Sequence, residues 1–186
     1  MKVYMVRHGE SKFNQSKLLA GWTDTPLTDK GVHEAELARK NFDGVKLDKI
    51  FSSDLVRAVK TAQTITGESD FEQLELLREM DIGSLAGKQY SSLSAEDKEC
   101  VDAGRYAKFG GENNEDFMKR VEAFKTRLES EEGTVGVFTH AGFMRRFFEL
   151  VIGFPFPRGK MLINNCVTAI FEYENGTWRL HSWINL

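Results

Sequence analysis

The 186-residue sequence predicts an α/β fold: a mostly parallel sheet with helices on both faces, a three-layer α/β/α sandwich with an antiparallel edge. Two observations carry this reading. Short apolar runs alternate with segments of helical periodicity, and strands so connected pair in parallel because each crossover helix lies on a face of the sheet. Near the C-terminus the alternation stops, and two strand-like runs meet at Asn175-Gly176, a hairpin turn that makes the last pair antiparallel.

The first strand, residues 2–6, runs straight into Arg7-His8-Gly9. Ligands of open α/β sheets sit outside the carboxyl ends of the strands, which puts Arg7 and His8 at the floor of a pocket. Gly9 then leaves room for a ligand near the backbone. Residues 21–28 are rich in turn formers and read as a loop. Thr28 or Asp29 caps a helix over residues 29–42 that gathers Ala35, Ala38 and Phe42 on one face and ends at Gly44. A second strand, 49–53, delivers Asp54 and a helix over 55–66 that Gly67 stops. The third strand, 71–77, leads into Arg78-Glu79 and on to Gly83.

From 88 to 111 the chain turns polar and loses any strand pattern, so this stretch is expected to be a partly helical cap insertion over the strand ends that governs substrate choice. Its Lys88, Arg105 and Lys108 are candidates to contact an acidic substrate, with solvated surface charge the favoured reading of each. The core resumes with a helix over 113–129, where Phe117, Val121, Phe124 and Leu128 recur at steps of four, three and four. A fourth strand, 134–139, ends in His140-Ala141-Gly142, repeating the arrangement of the first. A helix over 143–152 and strands over 166–173 and 178–184 complete the chain.

A hydrophobic content of 41% in a chain this long supports one domain, 1–186, with one core. The net charge of -3 excludes nucleic-acid binding through a broad basic face. Cys100 and Cys166 are not needed as a staple, and the first residues lack the apolar stretch of a secretory leader. Arg145, Arg146 and Glu149 interrupt the greasiest run, 143–156, so no membrane span is expected. These features predict a soluble, cytoplasmic protein, monomeric or homodimeric, with neither nucleic-acid nor membrane partners.

The chemistry concentrates at the strand ends. One histidine there is most often structural, but His8 and His140 stand at matching ends, and on neighbouring strands both imidazoles would face one crevice. A neutral imidazole attacks phosphorus or moves protons. Arg7, and Arg57 on the first turn of its helix, supply planar forks for phosphate oxygens, and Asn14 offers an amide donor. Glu79, past strand three, is the candidate proton donor for the leaving oxygen. Other phosphoryl-transfer routes fail: Cys100 and Arg105 enclose four residues where a cysteine phosphatase needs five, and Gly83 and Gly87 enclose three where a nucleotide P-loop needs four. No cluster has metal-ligand spacing, so metal-independent chemistry without a cofactor is expected.

Four blocks stand in one order: Arg7-His8-Gly9-Glu10-Ser11 with Asn14; Ser53-Asp54-Leu55-Val56-Arg57-Ala58 with Thr61-Ala62; Leu77-Arg78-Glu79 with Gly83 and Gly87; and Thr139-His140-Ala141-Gly142. Together they resemble the histidine phosphatase superfamily, which includes cofactor-dependent phosphoglycerate mutases, a fructose-bisphosphatase domain, α-ribazole phosphatase and broad-specificity phosphatases. The resemblance implies a phosphoglycerate mutase-like sandwich with His8 as the transiently phosphorylated nucleophile. Arg7, Arg57 and His140 would hold the phosphate, with Asn14, Thr23, Ser11 and Ala141 as further binding candidates. Glu79 would act as acid, then as base. Mutases resemble this chain less, being longer and carrying Arg and Tyr at the places of Met80 and Ile82. Phosphatase relatives often carry Trp-Glu where Leu85-Ala86 stand. The expected function is hydrolysis of a small phosphomonoester through phosphohistidine; the alternatives are a cofactor-dependent mutase and a phosphate-ester-binding protein without turnover.

Overall fold

In the computed structural model, which describes residues 1–157 and 160–186, six strands form one sheet. They are β1 (Lys2–Arg7), β2 (Lys49–Ser53), β3 (Glu72–Leu74), β4 (Thr134–Thr139), β5 (Thr168–Glu174) and β6 (Thr177–Ile184), in the order β3-β2-β4-β1-β5-β6. The first four lie parallel, β5 runs antiparallel to β1, and β6 returns antiparallel to β5.

Successive side chains of a strand point to opposite faces, and β1 is apolar on both because both are covered. The helices are α1 (Lys12–Gln15), α2 (Asp29–Ala38), α3 (Val56–Thr66), α4 (Ala95–Asp102), α5 (Asn114–Leu128) and α6 (Ala141–Ile152). On one face Val6 and Phe138 meet Ala35 and Ala38 of α2 and Ala62 and Ile65 of α3. On the other, Val3, Met5, Val135 and Val137 meet Phe117, Val121, Phe124 and Leu128 of α5 and Phe143 and Phe147 of α6. Burying each of those phenylalanines is worth about 1.5–3 kcal/mol, which anchors the second layer.

Several boundaries differ from expectation for local reasons. The helix expected over 29–42 is α-helical only to Ala38 and closes as the tighter turn Arg39–Phe42, which swings the Phe42 ring onto Tyr4, 5.1 Å between centroids. The third strand keeps only Glu72–Leu74, paired with Phe51–Ser53, after which Glu75–Leu77 turns to bury Leu77 in the core. β5 begins at Thr168, because Cys166 adopts φ +55, outside the extended region. The short α1 is absent from the sequence reading. Ser11 caps it, its side chain accepting from the Asn14 N–H while Asn14 reaches back to the Ser11 N–H.

Residues 88–111 contain the turn Tyr90–Ser92, helix α4 capped by Ser94, and the turn Tyr106–Phe109, and no strand. Arg105 pairs with Glu99 and Lys108 with Glu96 and Asp97, all on the surface. Both cysteines are buried free thiols. Among the described residues no helix is long and apolar enough to cross a membrane.

Candidate active site

The parallel register of β1 and β4 brings the two histidines together. Arg7 pairs with Thr139, and the His8 N–H donates to the Thr139 carbonyl at 3.0 Å, so the next residue of each strand emerges at the same sheet edge. The His8 and His140 ring centroids are 5.1 Å apart, edge to face. A cavity of about 300 Å³ opens there, lined by Arg7, His8, Asn14, Arg57, Glu79 and Ala141 among others. That volume suits a small ligand. His140 is fully buried and packs edge to face against His8, but it is not among the residues that line the cavity.

His8 Nδ1 sits 2.7 Å from the Gly9 carbonyl, which can only accept, so Nδ1 carries the hydrogen and Nε2 keeps its lone pair. Burial, then the positive charges of Arg57 and Arg7, hold this imidazole well below its ordinary pKa. His140 is held low in the same way, first by burial and then by Arg57. Its Nε2 pairs with the Ser53 hydroxyl at 2.9 Å, while Nδ1 is buried with no hydrogen-bond partner among the described residues.

The arginines are fixed by backbone carbonyls. Arg57 donates from Nη1 to Thr23 O at 2.9 Å and from Nη2 to Gly21 O at 2.8 Å, and Arg7 Nη1 donates to Ile163 O at 2.6 Å. Desolvation lowers Arg57 to about 10 and also lowers Arg7, yet both stay charged at neutral pH. The Nε atoms of both are buried without a hydrogen-bond partner among the described residues. Two desolvated cations beside two neutral imidazoles are an arrangement that an anion stabilises.

Glu79 is held at the cavity wall by two backbone donors, the Met80 N–H at 2.9 Å and the Gly142 N–H at 3.0 Å. Asn14 lines the cavity, and Ser11 occupies its Oδ1 with both N–H and hydroxyl, leaving the amide NH2 for a ligand. Ser11 itself is buried and caps α1; neither it nor Thr23 lines the cavity. Thr23 contributes its carbonyl to Arg57, and nearby Asp24 accepts from the Val56 N–H at the start of α3, so residues 21–24 are strapped to that helix. Gly9 serves a different purpose from the one its sequence context suggested: a Cβ there would collide with the Gly31 backbone of α2.

Sequence reasoning passed over Ser53, Trp22, Arg120, Arg145 and Arg146. Ser53 partners His140, Trp22 Nε1 donates to the Glu79 carbonyl at 2.6 Å, and Arg145 and Arg146 line the cavity. The two arginines had left a visible signal, as cations inside the greasy run that became α6. Val101, Gly104 and Tyr106 of the 88–111 segment also line the cavity, as do Met80 and Ile82, both apolar.

The chain belongs to the histidine phosphatase superfamily (branch 1), whose family model matches residues 3–186. Enzymes of this superfamily act on small phosphate esters. A probable phosphoglycerate mutase of Salmonella choleraesuis is 28% identical, over 99% of this chain and 90% of its own length. Among solved structures, YhfR of Bacillus stearothermophilus is similar with a TM-score of 0.86 and 29% identity, over 97% of this chain and 95% of that one. A "putative alpha-ribazole-5'-P phosphatase" of Escherichia coli has a TM-score of 0.86 at 25% identity, over 100% and 97% of the two chains.

Proposed function

We propose that the protein is a metal-independent phosphomonoesterase working by double displacement through phosphohistidine. The observation that carries this reading is the state of His8: a neutral ring with Nδ1–H tied to Gly9 O, its lone pair at Nε2, and two buried guanidiniums beside it. Nε2 attacks phosphorus, the ester P–O bond breaks, and the leaving oxygen takes a proton from Glu79. Water then attacks the phosphorus of phosphohistidine and gives a proton to Glu79, and the P–N bond breaks to release inorganic phosphate. Arg7 and Arg57, which line the cavity, face the charge that builds on the equatorial oxygens, and His140 packs against the His8 ring from within the protein. Fixed guanidinium charge supplies what a metal ion would otherwise supply, so turnover survives chelators.

Hydrolysis is favoured over mutase chemistry by Met80 and Ile82. Both are apolar cavity residues at the positions where mutases of this family carry Arg and Tyr for a second acidic group. The segment 88–111, which sends Val101, Gly104 and Tyr106 to the cavity, acts as a cap that selects the substrate.

The test is turnover of p-nitrophenyl phosphate together with trapping of labelled phosphate on the protein. Wild type should hydrolyse the ester and hold an acid-labile, base-stable label, and His8→Ala should do neither. Activity persisting in His8→Ala refutes the nucleophile, and conversion of 3-phosphoglycerate to 2-phosphoglycerate in the presence of the bisphosphate establishes the mutase instead.

A further inference from the structure

The segment from Glu75 to Leu85, which carries Glu79, has only short 3-10 turns and no ladder bonds to fix it. Its carbonyls are held from outside by Arg120. This residue lies on α5 beside the buried stripe of Phe117 and Val121, and its side chain is only 12% exposed. Nη1 donates to Leu76 O at 2.9 Å and to Arg78 O at 2.7 Å, and Nη2 donates to Glu79 O at 3.2 Å. Nε and Nη2 form a two-pronged pair with Glu112, at 3.0 and 2.7 Å. These bonds use all five guanidinium N–H groups, so none remains for a substrate. The guanidinium also lies over the Phe117 ring, 4.8 Å from its centroid, which fixes its plane.

Glu112 extends the clamp past Glu79: its N–H donates to Asp81 O at 3.0 Å. The carbonyl of Glu79 also accepts from Trp22. The backbone on both sides of the carboxylate is thus anchored to α5 and to Glu112, the residue just before its cap.

We propose that Arg120 is the positioning residue of the proton donor: through three backbone carbonyls it sets where the Glu79 carboxylate meets the leaving oxygen. This rests on the reading of Glu79 as general acid. A lysine, with one point charge on a flexible stem, spans fewer of these acceptors.

The experiment measures kcat/KM over a series of substituted phenyl phosphates for wild type, Arg120→Met, Arg120→Lys, Glu79→Gln and the double variant Arg120→Met/Glu79→Gln. A displaced acid penalises esters of basic leaving groups, which need the proton, and spares p-nitrophenyl phosphate. Arg120→Met should lose on the order of tenfold more on phenyl phosphate than on p-nitrophenyl phosphate, a part of the 10²–10⁴ that a positioned acid supplies. Arg120→Lys should show a smaller change of the same kind, and the double variant should be no steeper than Glu79→Gln alone. Equal losses across the series in the Arg120 variants, beside a steepened series in Glu79→Gln, overturn the positioning role and leave the acid in place. A series that is unsteepened in Glu79→Gln as well overturns both. Should Arg120→Met fail to fold, Arg120→Lys carries the same comparison.

Discussion

Gly142 donates its N–H to Glu79 Oε2 at 3.0 Å, and the carboxylate lies where a side chain at 142 would stand. A Cβ there would collide with Glu79 Oε1. Gly142 is in the first turn of α6, so the requirement is for space. Gly142→Ala is therefore expected to push the carboxylate aside and lower kcat/KM by roughly 10²-fold, the scale of lost acid help. Because the collision is with the far end of a flexible side chain and alanine favours the helix, stability should change by no more than about 1 kcal/mol. Steady-state kinetics beside a urea titration measures both, and unchanged kinetics would remove Glu79 from the reaction.

Stability should fall in mild acid. His8 and His140 are held well below the ordinary imidazole value, whereas in the unfolded chain they titrate near 6.5. Because the folded values are the lower ones, their contribution is fully present above about pH 6.5 and drains as pH falls towards them, by up to about 1.4 kcal/mol per pH unit for each histidine. Urea midpoints across this range should show the slope, and His8→Gln/His140→Gln should lack most of it. By the same sign, the acid limb of kcat/KM for wild type should fall below pH 6.5, since the Nε2 lone pair survives there; a limb at or above that value contradicts the depressed nucleophile.

Arg57 is buried and bonded to two carbonyls, of Gly21 and Thr23. Arg57→Ala should lose about 2–4 kcal/mol of transition-state stabilisation, by analogy with removal of an oxyanion donor. Arg57→Lys should recover little, because a single ammonium cannot span both carbonyls and face a phosphate. Full activity in the lysine variant would show that charge alone suffices.

Ser53 partners the buried Nε2 of His140, and its hydroxyl also accepts from the Leu55 N–H at 3.3 Å. Ser53→Ala strands that ring nitrogen and should cost about 1–3 kcal/mol of stability, read from denaturation midpoints. With His140 released, the His8 ring packed against it should also shift, and inorganic phosphate should bind more weakly. An unchanged phosphate affinity would make Ser53 purely structural.

Where the sequence carried a strong period, it located the element. β2 and β4 have the expected bounds, and α5 follows the spacing of Phe117, Val121, Phe124 and Leu128. The pairing of His8 with His140 was legible because both follow apolar runs, and parallel register does the rest. Arg120 was not, since an arginine on an amphipathic helix ordinarily points to water. Its one clue was its place three residues after Phe117, flanking the buried stripe. Ser11, a binding candidate only through the resemblance, caps α1 and stays out of the cavity, whereas Asn14, read as an amide donor, does line it. The reason for Gly9 was out of reach, because nothing local in the chain places Gly31 beside it.

The opening strand sits between β4 and β5, both built from residues beyond 133. As the polypeptide leaves the ribosome, Val3 to Val6 emerge well before either partner strand, an apolar edge in need of shelter until those strands are made. Such distant pairings make folding slow. A nascent chain halted before Thr134 would carry His8 yet lack the β4 strand that sets its position, and its bare apolar edge would make it sticky.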